Sequence, residues 1–225
     1  MEKISLSSHD FVDLFWKGKS GYVFLPRLTK EGGWIEGKPL FYAKSMNDDI
    51  KKYIDNSLEQ EENIYFAPMI FKNQKRMNKY ALHHEWLWAD TDDGIVDMPC
   101  SPTLVVQSSA NSFQSYWKLD KKISPEKHNA LNRIVNWSQE ADRNGWGLTK
   151  VLRLVGSYNY KKDRKKFQVK VSEFNDIVYS ADEMIDYALK SFNIDWVKNY
   201  GKGKFIKDIG MFDREWEKYE KQHTV

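Results

Sequence analysis

The sequence contains a single cysteine, Cys100, among its 225 residues. One cysteine cannot form a disulfide within the chain, and it excludes a zinc site built from several cysteines. The chain also lacks any run of about 18 apolar residues, which a membrane span needs. Its first residues, MEKISLSSHD, lack the apolar core of a signal peptide. We therefore expect a cytoplasmic protein with no membrane partner.

The motifs of several common enzyme classes are missing as well. The sequence has no P-loop, no GxGxxG fingerprint, no cysteine–histidine pair and no HExxH helix. These absences argue against nucleoside-triphosphate motors, Rossmann dehydrogenases and zinc proteases. Charge is almost balanced, with 35 basic and 32 acidic residues. A nucleic-acid site would therefore have to be a local basic patch.

Aromatic residues are plentiful, with 9 tryptophans, 12 tyrosines and 12 phenylalanines. Most are expected in the core, and the others can stack on bases. Helical patterns such as SPEKHNALNRIVNWSQEAD and SADEMIDYALK are mixed with strand-like runs and with one hairpin, TLVVQ to FQSYWKL. The pattern predicts an α+β domain with a mixed or antiparallel sheet, covered by helices on one side.

The strongest signal for a functional site is LHHEWLWADTDDG, residues 82–94, where an apolar strand ends in acids. In a strand, Trp86, Trp88, Asp90 and Asp92 lie on one face. The two carboxylates then start about 7 Å apart and can share a metal ion. Mg²⁺ is typically bound by one or two carboxylates together with substrate phosphates. An acidic turn is the alternative for DTDDG taken alone.

Three segments in order, LWADTDD, VVQSSANSFQSYWKL and EADRNGWGLTKVLRLVGSYNYK, resemble the archaeo-eukaryotic primase superfamily. Within it they are most similar to the RepB-like replication primases of plasmids and phages. The resemblance covers about residues 60–172 and implies a primase-polymerase fold with an RRM-like core, in which helices flank a central sheet. It also implies a DNA primase that uses two Mg²⁺ or Mn²⁺ ions and nucleoside triphosphates.

Single-stranded DNA is the template partner that the resemblance implies, in the replication of a plasmid, phage or mobile element. A replicative helicase would be a further domain or a separate protein. We expect one domain over residues 1–225, with a motif-bearing core at about 60–175 and a helical C-terminal extension at 176–225.

The resemblance also assigns roles to individual residues. The catalytic, metal-binding acids would be Asp90, Asp92 and Asp142. The substrate-binding residues would be Gln114, Arg153, Asn159 and Lys161. Gln114 replaces the histidine of many members, and Val155 replaces a proline that is usual in the family. An amide can still donate a hydrogen bond to phosphate but adds no positive charge.

A basic loop with interleaved aromatic rings follows the Arg153 motif. Cations beside rings suit single-stranded nucleic acid, since backbone charge and base stacking both contribute. The residues expected to bind nucleic acid are Tyr158, Tyr160, Lys162, Arg164, Lys165 and Lys166. A solvated hairpin loop is the alternative for any single lysine.

Other interpretations remain open from the sequence. Asp142 alone also suits a turn, and Arg153 also suits a salt bridge to a nearby acid. Adjacent His83 and His84 point to opposite faces of a strand and do not share a metal. The function could also be that of a primase-like module that binds a single strand or an origin without catalysis, as the changes at Gln114 and Val155 suggest. A metal-dependent nuclease would use the same acids.

Overall fold

The structure is a computed structural model that describes residues 6–91, 100–138, 141, 145–160, 166–190 and 200–212. The helices in these ranges are α1 Ser8–Trp16, α2 Asp48–Leu58, α3 Pro125–Ser138, α4 Ala181–Lys190 and α5 Lys202–Gly210. The strands are β1 Ser20–Val23, β2 Arg27–Leu28, β3 Trp34–Ile35, β4 Leu40–Ala43, β5 Asn63–Phe66, β6 His84–Thr91, β7 Leu104–Gln107, β8 Phe113–Ile123, β9 Leu152–Arg153, β10 Tyr158–Asn159, β11 Phe167–Gln168, β12 Lys170–Phe174 and β13 Val178–Tyr179. A short 3₁₀ turn spans Asn78–Tyr80.

The larger sheet is organised around β8, a strand of 11 residues. Strands β6 and β7 pair with β8 in antiparallel orientation, and β12 extends the sheet beyond β7. Strand β13 pairs with β8 in parallel, so this five-stranded sheet is mixed. The hairpin predicted from TLVVQ and FQSYWKL is confirmed as β7 and β8.

A smaller antiparallel sheet has the strand order β3-β2-β5-β9. Its last pair brings Arg153 of β9 opposite Tyr65 of β5. Two further strand pairs, β1 with β4 and β10 with β11, complete the sheets among the described residues. The smaller sheet therefore carries the Arg153 motif.

Strand β6 is apolar on both faces, and each face packs in a different core. Trp86 and Trp88 belong to the core that includes α1, where the Phe15 ring lies 4.9 Å from Trp86 between ring centroids. Leu87 and Ala89 belong to a second core with α3, α4 and α5. The α+β class is confirmed, but the expectation of helices on one side was wrong. A strand that is apolar on both faces needs cover on both.

Helix α3 closes the free edge of β6 through three polar side chains spaced four residues apart. His128 donates from Nε2 to the Trp86 carbonyl at 2.7 Å. Asn132 accepts the Trp88 N–H at 2.8 Å, and Asn136 donates to the Trp88 carbonyl at 2.6 Å. These bonds satisfy backbone groups that a neighbouring strand would otherwise pair. They also hold the strand that carries Asp90.

The helix caps follow the sequence signals. Ser124 accepts the Lys127 N–H at 3.3 Å at the start of α3. Ser180 and Glu183 form the reciprocal capping box that opens α4, with bonds of 2.7 and 3.1 Å. No helix in the described part of the chain is both long and apolar enough to cross a membrane.

Candidate active site

Asp90 and Gln114 lie directly opposite each other on β6 and β8. They share the face of Trp88 and Tyr116, as the alternation of side chains requires. Asp90 is half-buried, and its Oδ2 atom lies 3.6 Å from Nζ of Lys150. The predicted acid and the predicted amide are therefore brought together at one point of the larger sheet.

Sequence reasoning did not identify Lys150. It precedes Arg153 by three residues, but its contact with Asp90 is a long-range tertiary contact. Nothing in the spacing of Lys150 relative to VLRLVG distinguishes it from the other lysines of the sequence, so only the tertiary structure identifies it.

Gln114 connects the larger sheet to the smaller one. It is 3% exposed, and its Oε1 atom accepts the Arg153 N–H at 3.2 Å and the Tyr116 hydroxyl at 3.3 Å. Because a backbone N–H must meet an acceptor, these contacts fix which end of the amide is oxygen. The amide nitrogen is then the end that can donate to a phosphate.

Arg153 is held in a fixed orientation on the smaller sheet. Its Nη1 donates to Oδ1 of Asn63 at 2.9 Å, and its Cζ lies 5.0 Å from the centre of the Tyr65 ring. Only 5% of the residue is exposed. A planar guanidinium restrained in this way loses little further freedom when it binds a carboxylate or a phosphate.

The charges of Asp90, Lys150 and Arg153 act together on Tyr65. Burial raises the pKa of the Tyr65 hydroxyl, Asp90 raises it further, and Arg153 and Lys150 oppose the rise. The pKa of Tyr116 lies well above its usual value because of burial and, next, because of Asp90. Both phenols therefore stay neutral near neutral pH, and the Tyr116 hydroxyl donates to Gln114.

The turn after Arg153 depends on Gly156. Its φ of 87° lies in the left-handed region that favours glycine, and an added Cβ would meet the hydroxyl of Ser8. Ser8 donates to the Val155 carbonyl at 2.7 Å, and the Gly156 N–H donates to the Val169 carbonyl at 2.9 Å. The first turn of α1 is thereby docked on the Arg153 motif.

Asn159 is completely buried at the start of the next hairpin. Its Nδ2 donates to the Ser108 carbonyl at 3.0 Å, which joins β10 to the turn between β7 and β8. This contact gives Asn159 a role in holding the two hairpins together. Its predicted contact with substrate stays a prediction.

Tyr158, Tyr160 and Lys166 form a small aromatic and cationic cluster on the β10–β11 hairpin. The two rings are 6.0 Å apart, and Nζ of Lys166 lies 4.5 Å from the Tyr158 ring centre and 5.3 Å from that of Tyr160. Lys166 is exposed. The structure therefore places one cation of the predicted set beside two of the predicted rings, and the role of these residues in binding nucleic acid stays a prediction.

Several predicted site residues lie outside the residues that the structure describes. They are Asp92, Asp142, Lys161, Lys162, Arg164 and Lys165. Within the described ranges, no group of three or more His, Cys, Asp or Glu side chains could hold a metal ion. Asp90 supplies one of the three predicted carboxylates, and its oxygen is a ligand type that suits Mg²⁺ or Mn²⁺. The metal site stays a prediction that requires Asp92 and Asp142.

His84 has a structural role. Its Nδ1 accepts the Trp86 N–H, and its Nε2 donates to the Pro68 carbonyl, both at 3.0 Å. Complete burial and the nearby Lys19 hold the pKa of His84 well below its usual value. The imidazole is therefore neutral, and both of its nitrogens bond to the backbone.

The sequence resemblance implies a primase-polymerase domain with an acid at a strand end, an amide on the next hairpin and an arginine further along, and the structure brings Asp90, Gln114 and Arg153 together. No protein-family model matches this chain, and no curated protein matches it in sequence. Solved structures do match it in fold, and they belong to that class.

The chain is similar to the AEP domain of the cyanophage S-2L primase-polymerase, with a TM-score of 0.57 and 12% identity over 75% of this chain and 89% of that one. It is similar to the catalytic domain of primase RepB′ in complex with initiator DNA, with a TM-score of 0.54 and 15% identity over 80% and 90%. Another structure of primase RepB′ matches with a TM-score of 0.56 and 14% identity, over 92% of this chain and 69% of that one. The fold predicted from the sequence resemblance is confirmed, since these primase domains share it.

Proposed function

We propose that this protein is a DNA primase, a template-directed nucleotidyltransferase that makes or extends primers on single-stranded DNA. Its setting would be the replication of a plasmid, phage or mobile element. The observation that carries the proposal is the position of Asp90, opposite Gln114 and 3.6 Å from Lys150, on a fold shared with primase domains.

The reaction joins the 3′-hydroxyl of a primer or first nucleotide to the α-phosphorus of an incoming nucleoside triphosphate. A new P–O bond forms, the bond to the β-phosphate oxygen breaks, the hydroxyl loses its proton, and pyrophosphate leaves. Two Mg²⁺ or Mn²⁺ ions, held by Asp90 with Asp92 and Asp142, would supply acidification of the hydroxyl and neutralisation of the leaving group.

The chain's own cations would bind the phosphates. Lys150 lies close enough to Asp90 to pair with this carboxylate or with a phosphate beside it. Arg153 offers a planar pair of donors, and Gln114 offers its amide nitrogen. Gln114 accepts a hydrogen bond from the Arg153 N–H. This bond would hold the amide nitrogen of Gln114 and the guanidinium of Arg153 in a fixed relative position.

The template would cross the β10–β11 hairpin. Tyr158, Tyr160 and Lys166 provide two rings and a cation at distances that suit stacking and phosphate contact. The RepB′ catalytic domain, a structure similar in fold, was solved with initiator DNA. Lys161, Lys162, Arg164 and Lys165 would add positive charge next to it, and a separate helicase domain or protein would open the duplex.

The test is incorporation of labelled nucleotides on single-stranded DNA, with and without a primer, in Mg²⁺ and in Mn²⁺. Asp90→Ala should reduce the product below detection, because the metal ligand is lost. Asp120→Ala is the matched control, since Asp120 lies exposed on β8, and it should retain activity.

The other outcomes separate the alternatives. Strand binding without any product in the native chain would reject catalysis and favour a binding module. Degradation of DNA without nucleoside triphosphates would indicate a nuclease. Equal activity of Asp90→Ala and the native chain would reject the assigned site.

A further inference from the structure

The pairing of the smaller sheet places an aromatic and an arginine side chain on the same face. Trp34 is opposite Leu28, and Leu28 is opposite Asn63. Tyr65 follows Asn63 by two residues and is opposite Arg153. Paired residues and residues two apart point to the same side of a sheet. These five side chains therefore share one face, which we call the outer face.

The opposite face of this sheet is covered by the core. Ile64, Phe66 and Leu152 alternate with the outer-face residues and are completely or almost completely buried. Trp34, in contrast, is 47% exposed. Its indole is therefore not needed to fill the core, although it is the largest side chain of the hairpin.

Trp34, Tyr65 and Arg153 form a continuous row on the outer face. The Trp34 and Tyr65 rings are 5.5 Å apart between centroids at 47°, and Arg153 lies 5.0 Å from the Tyr65 ring. This aromatic row begins in solvent at Trp34. It ends at Arg153, whose N–H bonds to Gln114 opposite Asp90.

A chain of polar contacts fixes Trp34 relative to the candidate active site. Its Nε1 donates to Glu36 at 3.2 Å, and Arg76 donates to both oxygens of Glu36 at 2.6 and 2.9 Å. Arg76 also donates to the Thr149 carbonyl, next to Lys150. The indole is thus oriented before any ligand arrives, and the charge of Glu36 is neutralised by Arg76.

The tyrosine and lysine cluster borders the same face. The Tyr160 N–H donates to Oδ1 of Asn63 at 2.9 Å, the atom that also accepts from Arg153. Tyr160 carries Lys166 above its ring. One exposed ring, Trp34, followed by half-buried tyrosine rings and by the exposed cation of Lys166, matches an unpaired base and its phosphate better than it matches an apolar protein surface.

We propose that Trp34 is a base-stacking residue for single-stranded DNA, and that the aromatic row guides the template strand to the candidate active site. The assignment of that strand as template rests on the proposed function. Stacking on an indole does not depend on base identity, so binding should show little sequence preference. Duplex DNA should not use this residue, because its base faces are covered.

The test is the affinity for a fluorescein-labelled oligothymidylate, measured by fluorescence anisotropy in EDTA without nucleotide. Trp34→Ala should weaken binding about tenfold, and Trp34→Phe should restore most of the affinity. Phe41→Ala is the control, because Phe41 is an exposed aromatic residue, at 54%, on a different sheet. Phe41→Ala should bind the strand as the native chain does, and a duplex of equal length should not distinguish Trp34→Ala from the native chain.

Three results would overturn the inference. They are no strand binding by the native chain, native affinity in Trp34→Ala, or an equal loss in Phe41→Ala. Because the assay needs no catalysis, it is independent of nucleotide incorporation. If binding depends on Trp34 but the native chain incorporates no nucleotide, the stacking role of Trp34 is supported and the primase activity is rejected. If the native chain incorporates nucleotides but Trp34→Ala binds the strand as the native chain does, the primase activity is supported and the stacking role is rejected.

Discussion

Gln114 is the residue on which the geometry of the site depends most directly. Its amide oxygen accepts hydrogen bonds from Arg153 on the smaller sheet and from Tyr116 on its own strand. The sequence resemblance selected this position as a phosphate donor. The structure adds a second property, since the oxygen of the same amide joins two sheets.

Gln114→Leu should therefore reduce both stability and substrate binding. Leucine leaves the buried Arg153 N–H and Tyr116 hydroxyl without this acceptor, at a cost of about 1–3 kcal/mol in the free energy of unfolding. It also removes the amide donor, so KM for the nucleotide should rise. Urea unfolding and initial-rate kinetics measure the two effects.

Gln168→Leu is the control for this change, because Gln168 is exposed on β11. A Gln114→Leu variant as stable as the native chain would show that the bridge between the sheets contributes nothing. If Gln114→Leu lowers the stability but leaves the KM for the nucleotide unchanged, Gln114 has only a structural role.

At the scale of elements, α3 and β6 form one unit. His128, Asn132 and Asn136 bond to backbone groups of Trp86 and Trp88, four and two residues before Asp90. The helix itself is predictable from Ser124, Pro125 and its apolar stripe. The contacts of its polar residues with the strand edge are not predictable, because a buried asparagine does not show up in a periodic pattern of apolar residues.

Asn132→Ala should destabilise the protein by about 1–3 kcal/mol, since the Trp88 N–H is then buried without its acceptor. Thermal or urea unfolding measures the loss. Asn56→Ala tests the same change at an exposed position of α2 and should be close to neutral. Equal stability of Asn132→Ala and the native chain would contradict the proposed closure of the strand edge by α3.

The same helix should make stability depend on pH. Burial lowers the pKa of His128 to about 4, from 6.5 for a free histidine. The unfolded chain therefore binds more protons between these values, and the free energy of unfolding falls as the pH drops from about 6.5 to 4. The shift in the pKa of His128 corresponds to about 3 kcal/mol in the free energy of unfolding. This contribution is fully present above pH 6.5.

His128→Gln should flatten this decline, because glutamine can donate to the Trp86 carbonyl without titrating. Some decline should persist, since burial also lowers the pKa of His84. Urea unfolding at several pH values measures the slope, with His83→Gln as the exposed control. A native slope in His128→Gln would show that His128 is not the titrating group.

For the whole molecule, the helices and the long strands were predictable because caps, apolar stripes and alternation are local signals. Strands β2 and β3 have only two residues each, too few for any period, and they join β5 and β9 in the smaller sheet through long-range pairing. The contact of Lys150 with Asp90 and the position of Trp34 depend on tertiary structure and could not be predicted from the sequence. Asp90, Gln114 and Arg153 could be selected from the sequence, because the resemblance gives their motifs in order along the chain.

The two cores explain how the C-terminal segment is attached. Helices α4 and α5 pack with α3 in the second core, and Arg133 of α3 pairs with the buried Asp208 of α5, which also accepts the Tyr200 hydroxyl at 2.6 Å. The helical part of residues 176–225 that the structure describes therefore lies against the sheet that carries Asp90. The division into a core at about 60–175 and an extension stays a prediction.

We propose that Asp90 is a catalytic metal ligand, and single-nucleotide incorporation on a primed strand, measured as Mn²⁺ or Mg²⁺ is titrated, tests this claim. Asp90→Asn keeps the shape of the side chain and removes its charge. We expect metal-dependent product with the native chain and none with Asp90→Asn, whereas both chains should bind the strand equally. Native incorporation by Asp90→Asn at every metal concentration would contradict the claim.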